Sequence, residues 1–180
     1  VKMEETKMDK DSTHKLYIAY GSNLNLNQMK HRCPTARVIG TSELKDYELV
    51  FRGSRHNAVA TVEPCKGSTV PVLLWSIKPD DEKALDRYEG YPSFYDKAGV
   101  DITIGDHKTT AMIYIMTAGH RLGNPSENYL KTIEEGYIDA GFDTNILHNA
   151  VEKNLNKIEE FKEIDEYEPK QGDIFGMKWW

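Results

Sequence analysis

The chain has 180 residues, 39% of them hydrophobic, and a formal net charge of -6 at pH 7. These values fit one globular domain better than a disordered chain, and an acidic domain is a poor partner for nucleic acid. No run approaches the ~20 apolar residues that span a bilayer, and residues 1–14 lack the apolar core of a signal peptide, so we expect a cytoplasmic protein without membrane contact.

The chain is predicted to begin with a tail and a buried strand. Residues 1–14 are polar and aperiodic, which is typical of a loose tail. Lys15 to Tyr20 form a short apolar and aromatic run that ends at Gly21. Such a run, closed by a glycine, predicts a buried strand followed by a turn.

A short helix and a β-rich segment follow the turn. Asn25 with Gln28 three residues later forms a capping-box pattern, and the helix should stop near Cys33 because Pro34 restricts the residue before it. Residues 37–77 contain several β-prone stretches separated by glycine and proline. We expect several strands there.

The second helix is predicted from Pro79, which suits the first helical position and precedes three acidic residues, Asp80, Asp81 and Glu82. Gly90 stands where a helix commonly ends in a left-handed residue. This places Glu89 at the C-terminal end of the helix.

Strands are expected near residues 98–104 and 109–117, and then two helices. Residues 124–127 predict a capping box with proline at the first helical position, and the helix should end at Gly141. The last helix is predicted over residues 144–165, with one apolar face and one charged face. Without a repeat or regular βαβ alternation, the order favours an α+β domain with a mostly antiparallel or mixed sheet.

Two places could carry chemistry. The turn at residues 20–24 leads from a strand into a helix start, and its amides could bind a small carboxylate or an oxyanion. It could equally be an ordinary strand–turn–helix connection. Glu89 lies among four aromatic residues near a helix C-terminus, so its pKa should be raised, as a general base requires; the alternative is a surface glutamate beside a capping glycine.

Neither the cysteines nor the histidines indicate a cofactor. Cys33 and Cys65 fit no metal or redox spacing, and we expect both to be reduced. The six histidines do not cluster at metal-ligand spacing. We therefore predict no metal and no cofactor.

Four segments in order resemble the γ-glutamylcyclotransferase/AIG2-like family. They are YIAYGSNLN at residues 17–25, HNAVATVEPCKGSTVPVLLWSI at 56–77, LDRYEGYPSFY at 85–95 and PSENYLKTIEEGYIDAGF at 125–142. The resemblance covers roughly residues 15–145. It implies a tail at 1–14, a domain at 15–145 with a small mixed β-barrel or sheet and flanking helices, and a helical extension and tail at 146–180.

The resemblance also implies an activity. Members convert a γ-glutamyl group into 5-oxoproline by attack of its α-amine on its own γ-carbonyl, which makes them acyltransferases or cyclising lyases acting on a small molecule. Carried over by position, Glu89 is the catalytic acid and base. The implied substrate-binding residues are Tyr20, Gly21, Ser22, Asn23, Leu24, Tyr95 and Tyr129.

Some questions stay open at the level of sequence. Some relatives place a further tyrosine where this chain has residues 117–120, Thr-Ala-Gly-His, so the leaving group is not defined. A non-catalytic binding protein of the same family is an alternative, as is an acyl-transfer enzyme with Ser22 or Cys65 as nucleophile. Whether the chain forms a homodimer, and what Trp179-Trp180 does, is also undetermined.

Overall fold

The computed structural model describes residues 13–165, with side chains for residues 13–162. Nearly all of the predicted tail at 1–14, and Trp179-Trp180, lie outside the described residues. The described elements comprise six strands and four helices: β1 Lys15–Ala19, α1 Leu26–Arg32, β2 Arg37–Gly53, β3 Val59–Ile77, α2 Pro79–Glu89, β4 Tyr95–Ile104, β5 His107–Met116, β6 Arg121–Leu122, α3 Glu127–Ala140 and α4 Thr144–Asp165.

The six strands form one sheet in the order β4-β5-β1-β3-β2-β6. The short β1 pairs antiparallel with β3 on one side and parallel with β5 on the other. The remaining pairs are antiparallel, so the sheet is mixed. It curls into a half-barrel, which confirms the predicted α+β class.

Residues 37–77 form two long strands instead of the several short ones predicted. The pairing shifts register between Lys45 and Tyr47, where Asp46 takes a positive φ of 62° and its carboxylate accepts a 2.9 Å hydrogen bond from the Gly67 amide. Pro64 pairs with Tyr47 beside this shift. Prolines are tolerated at such irregularities, and a bulge bends a strand without ending it.

The helix boundaries agree with the sequence except at α3. The Asn25 side chain caps α1 by accepting from the Gln28 amide at 3.0 Å, and α2 ends at Gly90 with φ 66°. The predicted cap of α3 at residue 124 is wrong. Ser126 caps the helix instead by accepting from the Tyr129 amide at 3.2 Å, because the hydroxyl lies three residues before that amide.

The core lies between the curved sheet and the helices. Its fully buried side chains include Ile18, Phe51, Leu74, Leu85, Ile113, Ile133 and Leu147. Most are apolar residues of alternate strand positions or of helix faces turned to the sheet. Among residues 13–165, no helix is both long and apolar enough to cross a membrane.

Helix α4 is attached to the sheet through one buried amide side chain. Asn154 accepts a 3.1 Å hydrogen bond from the Phe51 amide and donates one of 2.8 Å to the Gly123 carbonyl. Lys153 and Lys157 both pair with Glu48 on β2. These contacts position α4; the boundary at residue 145 stays a prediction.

Candidate active site

The turn after β1 is a single turn of 3-10 helix over Ser22–Leu24. The Leu24 amide donates to the Gly21 carbonyl at 3.0 Å, and the Asn25 amide donates to the Ser22 carbonyl at 3.1 Å. The amides of Ser22 and Asn23 take no part in these two bonds. An N-terminal turn of this kind leaves its first amides available to a ligand.

Helix α3 holds this turn in place from behind. A Cβ atom at Gly136 would lie 2.5 Å from the Leu24 Cβ and 2.7 Å from the Leu24 carbonyl carbon. The helix can therefore approach the turn this closely only because residue 136 is glycine. The Asn25 amide side chain adds a 3.0 Å hydrogen bond to the Thr132 carbonyl.

The end of α2 contacts the turn through two hydrogen bonds. The Asn23 Nδ2 atom donates to Glu89 Oε1 at 3.0 Å. The hydroxyls of Ser22 and Tyr88 share a hydrogen bond of 3.1 Å. The structure thus brings the predicted carboxylate and the predicted turn into direct contact.

Burial raises the pKa of Glu89 from 4.5 to about 7, while the Arg32 guanidinium and the hydrogen bond from Asn23 act in the opposite direction. A carboxyl group with a pKa near 7 is half ionised at neutral pH. It can both accept and return a proton under physiological conditions.

Asn23 forms four hydrogen bonds in the site. Besides Glu89, its Nδ2 atom donates to the Tyr17 hydroxyl at 2.8 Å. Its Oδ1 atom accepts from the Arg32 guanidinium, and its backbone carbonyl accepts from Trp75 Nε1 at 3.1 Å. The three bonds of the side chain fix one orientation of the amide.

Three predicted tyrosines lie beside the turn, of which Tyr20 and Tyr95 are buried and Tyr129 is partly buried. The Tyr95 hydroxyl donates to the Ala60 carbonyl at 2.5 Å, and the Ala60 amide donates to the Tyr129 hydroxyl at 3.0 Å. The Tyr20 hydroxyl donates to the Tyr114 carbonyl at 2.6 Å. Burial raises the pKa of Tyr20, Tyr95 and Tyr129, and the nearby Glu89 adds to the rise, so all three stay neutral near pH 7.

These three tyrosines differ in what they can offer a ligand. The protons of Tyr20 and Tyr95 are already donated to carbonyl groups. Tyr129 accepts from Ala60, and none of the hydrogen bonds among residues 13–162 uses its own proton. A Cβ atom at Gly21 would lie 3.5 Å from this hydroxyl oxygen, so the Tyr129 proton is within reach of the turn.

A cleft of about 580 Å³ lies between β3 and the end of β5. Its lining includes Thr61, the residue after Ala60, together with Thr117 and His120. Neither Glu89 nor Asn23 lines it.

The nucleophile alternatives lack an activating base among the described residues. The hydrogen-bond partner of the Ser22 hydroxyl is Tyr88, and that of the Cys65 thiol is the Ser68 hydroxyl at 3.3 Å. Cys33 is buried, which raises its pKa to about 11. In residues 13–162 no three His, Cys, Asp or Glu side chains are grouped as metal ligands.

Sequence reasoning missed several residues that build the site. Arg32 and Tyr17 form hydrogen bonds with Asn23. The backbone of Ala60 forms hydrogen bonds with Tyr95 and Tyr129, and Gly136 allows the close packing of the turn against α3. Arg32 carried one usable signal, because it follows Gln28 by four residues and so shares its helix face. The contacts of Ala60 and Gly136 join segments that are distant in sequence.

Comparisons with known proteins bear on this geometry. A family profile described as "Gamma-glutamyl cyclotransferase, AIG2-like" matches residues 17–137. A human protein named gamma-glutamylcyclotransferase is 30% identical over 135 residues, covering 70% of this chain and 71% of its own length. A bovine protein of the same name is 29% identical over 164 residues, covering 86% and 84%.

Solved structures share the fold. A gamma-glutamyl cyclotransferase superimposes with a TM-score of 0.67 over 92% of both chains, at 24% identity. An uncharacterized human protein gives a TM-score of 0.69 at 27% identity, over 77% of this chain and 86% of its own. The curled mixed sheet and its flanking helices therefore recur in solved structures.

Proposed function

Because this chain belongs to the gamma-glutamyl cyclotransferase, AIG2-like family, we propose that it cyclises γ-glutamyl groups, releasing 5-oxoproline and an amine or amino acid. The observation that carries the proposal is the contact between Asn23 and Glu89. It places a carboxyl group with a pKa of about 7 against a turn with available amides.

The turn is proposed to bind the glutamyl part of the substrate. The amides of Ser22 and Asn23 can donate to the α-carboxylate, since anions bind where a turn exposes consecutive N–H groups. Holding the carboxylate there folds the chain so that the α-nitrogen meets the γ-carbonyl. Well-oriented intramolecular attack is worth on the order of 7–11 kcal/mol.

Glu89 is proposed to move the protons. The α-ammonium group has no lone pair, so Glu89 first accepts one of its protons. The amine then attacks the γ-carbon, the new C–N bond closes the five-membered ring, and the old C–N bond breaks as Glu89 protonates the leaving nitrogen. One hydrogen stays on the lactam nitrogen and two pass to the leaving amine, which departs as an ammonium ion. Acid–base catalysis of this kind contributes roughly 10²–10⁴ in rate.

Tyr129 is proposed to stabilise the oxyanion. Its hydroxyl already accepts from the Ala60 amide, which leaves its proton for the γ-carbonyl oxygen as negative charge develops there. The leaving amine is proposed to face the cleft that begins at Thr61. His120 and its neighbours would then influence which amines are released.

The decisive experiment is a mass-spectrometric screen of γ-glutamyl amino acids and amines for 5-oxoproline release. Glu89→Gln should lose at least about a hundredfold in turnover while it still binds substrate. Glu82→Gln is the matched control, because Glu82 lies on the same helix and pairs with Lys15 and Lys97, away from the turn.

Two outcomes would reject the proposal. Wild-type turnover in folded Glu89→Gln protein would remove Glu89 from the mechanism. Binding of γ-glutamyl compounds by the wild type without any release of 5-oxoproline would favour the alternative, a non-catalytic binding protein of the same family.

A further inference from the structure

Arg32, the last residue of α1, covers the contact between the turn and the end of α2. One guanidinium nitrogen donates to Asn23 Oδ1, and another donates to Gln28 Oε1 at 3.1 Å. The guanidinium carbon lies 3.3 Å from the centroid of the Tyr88 ring. Arg32 therefore touches both sides of the contact, the turn through Asn23 and the helix through Tyr88.

The bond to Asn23 decides which end of that amide faces Glu89. An asparagine side chain has a donor end and an acceptor end, whereas a guanidinium group can only donate. With Oδ1 held by Arg32, the Nδ2 atom must face Glu89 and Tyr17. A flipped amide would place Oδ1 against the carboxylate, and the two acceptors would repel each other.

We propose that Arg32 is a positioning residue for the proposed reaction, because it holds the Asn23 amide in the orientation that keeps the Glu89 carboxylate against the turn. This inference rests on the proposed function for its catalytic meaning. The structural part of the inference does not depend on the proposed function: Arg32 sets the position of Glu89 through Asn23.

Arg32 also supplies a positive charge that acts on Glu89. No ion pair joins the two directly among the salt bridges of residues 13–162, and Asn23 lies between them. Arg32 lowers the pKa of Glu89 against the larger effect of burial. The other titratable groups that face Glu89 come from β1, the turn, β4, β5 and α3 and are neutral tyrosines: Tyr17, Tyr20, Tyr95, Tyr114 and Tyr129.

Two substitutions separate orientation from charge. Arg32→Gln removes the charge, so the pKa of Glu89 should rise by about one pH unit, the lower end of the effect of a neighbouring charge. Arg32→Lys keeps the charge but loses the planar fork that bonds Asn23 while it stacks on Tyr88. Lys30→Gln is the matched control, since Lys30 is exposed on the same helix and enters none of these bonds.

The first measurement needs no activity. The Glu89 carboxyl carbon is followed by NMR between pH 5 and pH 9 in protein labelled at glutamate, and its signal is assigned by its absence in Glu89→Gln. We expect midpoints near pH 7 for the wild type, Lys30→Gln and Arg32→Lys, and near pH 8 for Arg32→Gln.

The second measurement is the pH dependence of 5-oxoproline release. Arg32→Gln should shift the acid limb of the pH–rate profile to higher pH, in step with the Glu89 titration midpoint. The rate at pH 7 should then fall about fivefold, because the ionised fraction of Glu89 falls from about one half to about one tenth. Both Arg32 variants should also lose about tenfold in kcat on the plateau of the profile at higher pH, because a misplaced Glu89 is a poor base.

The results can overturn the inference whether or not the enzyme is active. An unchanged Glu89 midpoint in Arg32→Gln would contradict the charge effect. A wild-type kcat in Arg32→Lys would contradict the positioning role. If the activity of the variants falls only in proportion to their unfolded fraction, Arg32 is a structural residue and not a positioning residue. If the wild type releases no 5-oxoproline, the proposed function fails, while the NMR titration still decides whether Arg32 controls Glu89.

Discussion

Replacing Glu89 with glutamine should stabilise the protein at alkaline pH although it removes the proposed base. Burial disfavours the ionised form of the Glu89 side chain and raises its pKa from 4.5 to about 7. Glutamine resembles the protonated acid, and its side-chain oxygen can still accept from Asn23. The variant therefore avoids the cost of ionising a buried group.

The size and sign of the effect follow from proton linkage. Between pH 4.5 and pH 7 the unfolded chain loses its proton first, so the folded wild type becomes less stable as the pH rises through this window. At about 1.4 kcal/mol per pH unit, the upper limit at pH 8 is about 3 kcal/mol. Because Glu89 keeps partial contact with solvent, we expect about 1–2 kcal/mol.

Urea unfolding at pH 5 and at pH 8 measures the difference. Glu82→Gln serves as a control of opposite sign on the same helix. Burial raises the pKa of Glu82, but hydrogen bonds from Lys15 and Lys97 outweigh it and hold the pKa below 4.5. That variant should be less stable than the wild type at pH 8.

The reasoning fails if the stability gain of Glu89→Gln is the same at both pH values, or if the variant is destabilised at pH 8. Either result would mean that burial does not disfavour the ionised carboxylate in the folded protein. The case for Glu89 as a base that works near neutral pH would then lose its physical basis.

Three further substitutions test the framework of the site. Gly136→Ala should lower the free energy of unfolding by about 1–3 kcal/mol and reduce turnover, because its Cβ would lie 2.5 Å from the Leu24 Cβ; Gly40→Ala, with no heavy atom within 4 Å of its Cβ, should change neither, and equal effects of the two would contradict the packing argument. Gly21→Ala should cost about tenfold in turnover with thermal unfolding nearly unchanged, since its Cβ would lie 3.3 Å from the Ala60 Cβ, a tight contact, and would cover the Tyr129 hydroxyl oxygen at 3.5 Å; a wild-type rate would show that Ala60 can move aside freely. Asn154→Ala should destabilise by about 2–4 kcal/mol in chemical unfolding, because a buried amide and a buried carbonyl both lose their partner, and a loss below about 0.5 kcal/mol would mean that α4 contributes little to the fold.

The sequence predicted those features that depend on local chemistry. The glycine that ends α2, the cap of α1 by Asn25 and the apolar run of β1 all act through residues a few positions apart. The same local logic placed Glu89 at a helix end among aromatic residues. The turn of Ser22–Leu24 also follows from its neighbours, since a glycine precedes it and a helix cap follows it.

Other features could not be predicted because they depend on packing between distant segments. The long strand β3 continues through Pro64 and Pro71, which suggested breaks, and the bulge at Asp46 on β2 absorbs the irregularity beside Pro64. Nothing near Arg32 in sequence reveals that it stacks on Tyr88. The roles of Ala60 and Gly136 are visible only when their partners on other elements are in place.

The hydrogen bond from Asn25 to the Thr132 carbonyl joins positions 107 residues apart. A nascent chain that ends before Gly136 lacks the surface on which Leu24 packs, so the turn of Ser22–Leu24 has no support from α3 until that helix has left the ribosome. The proposed binding by this turn is therefore tied, during synthesis, to the arrival of α3.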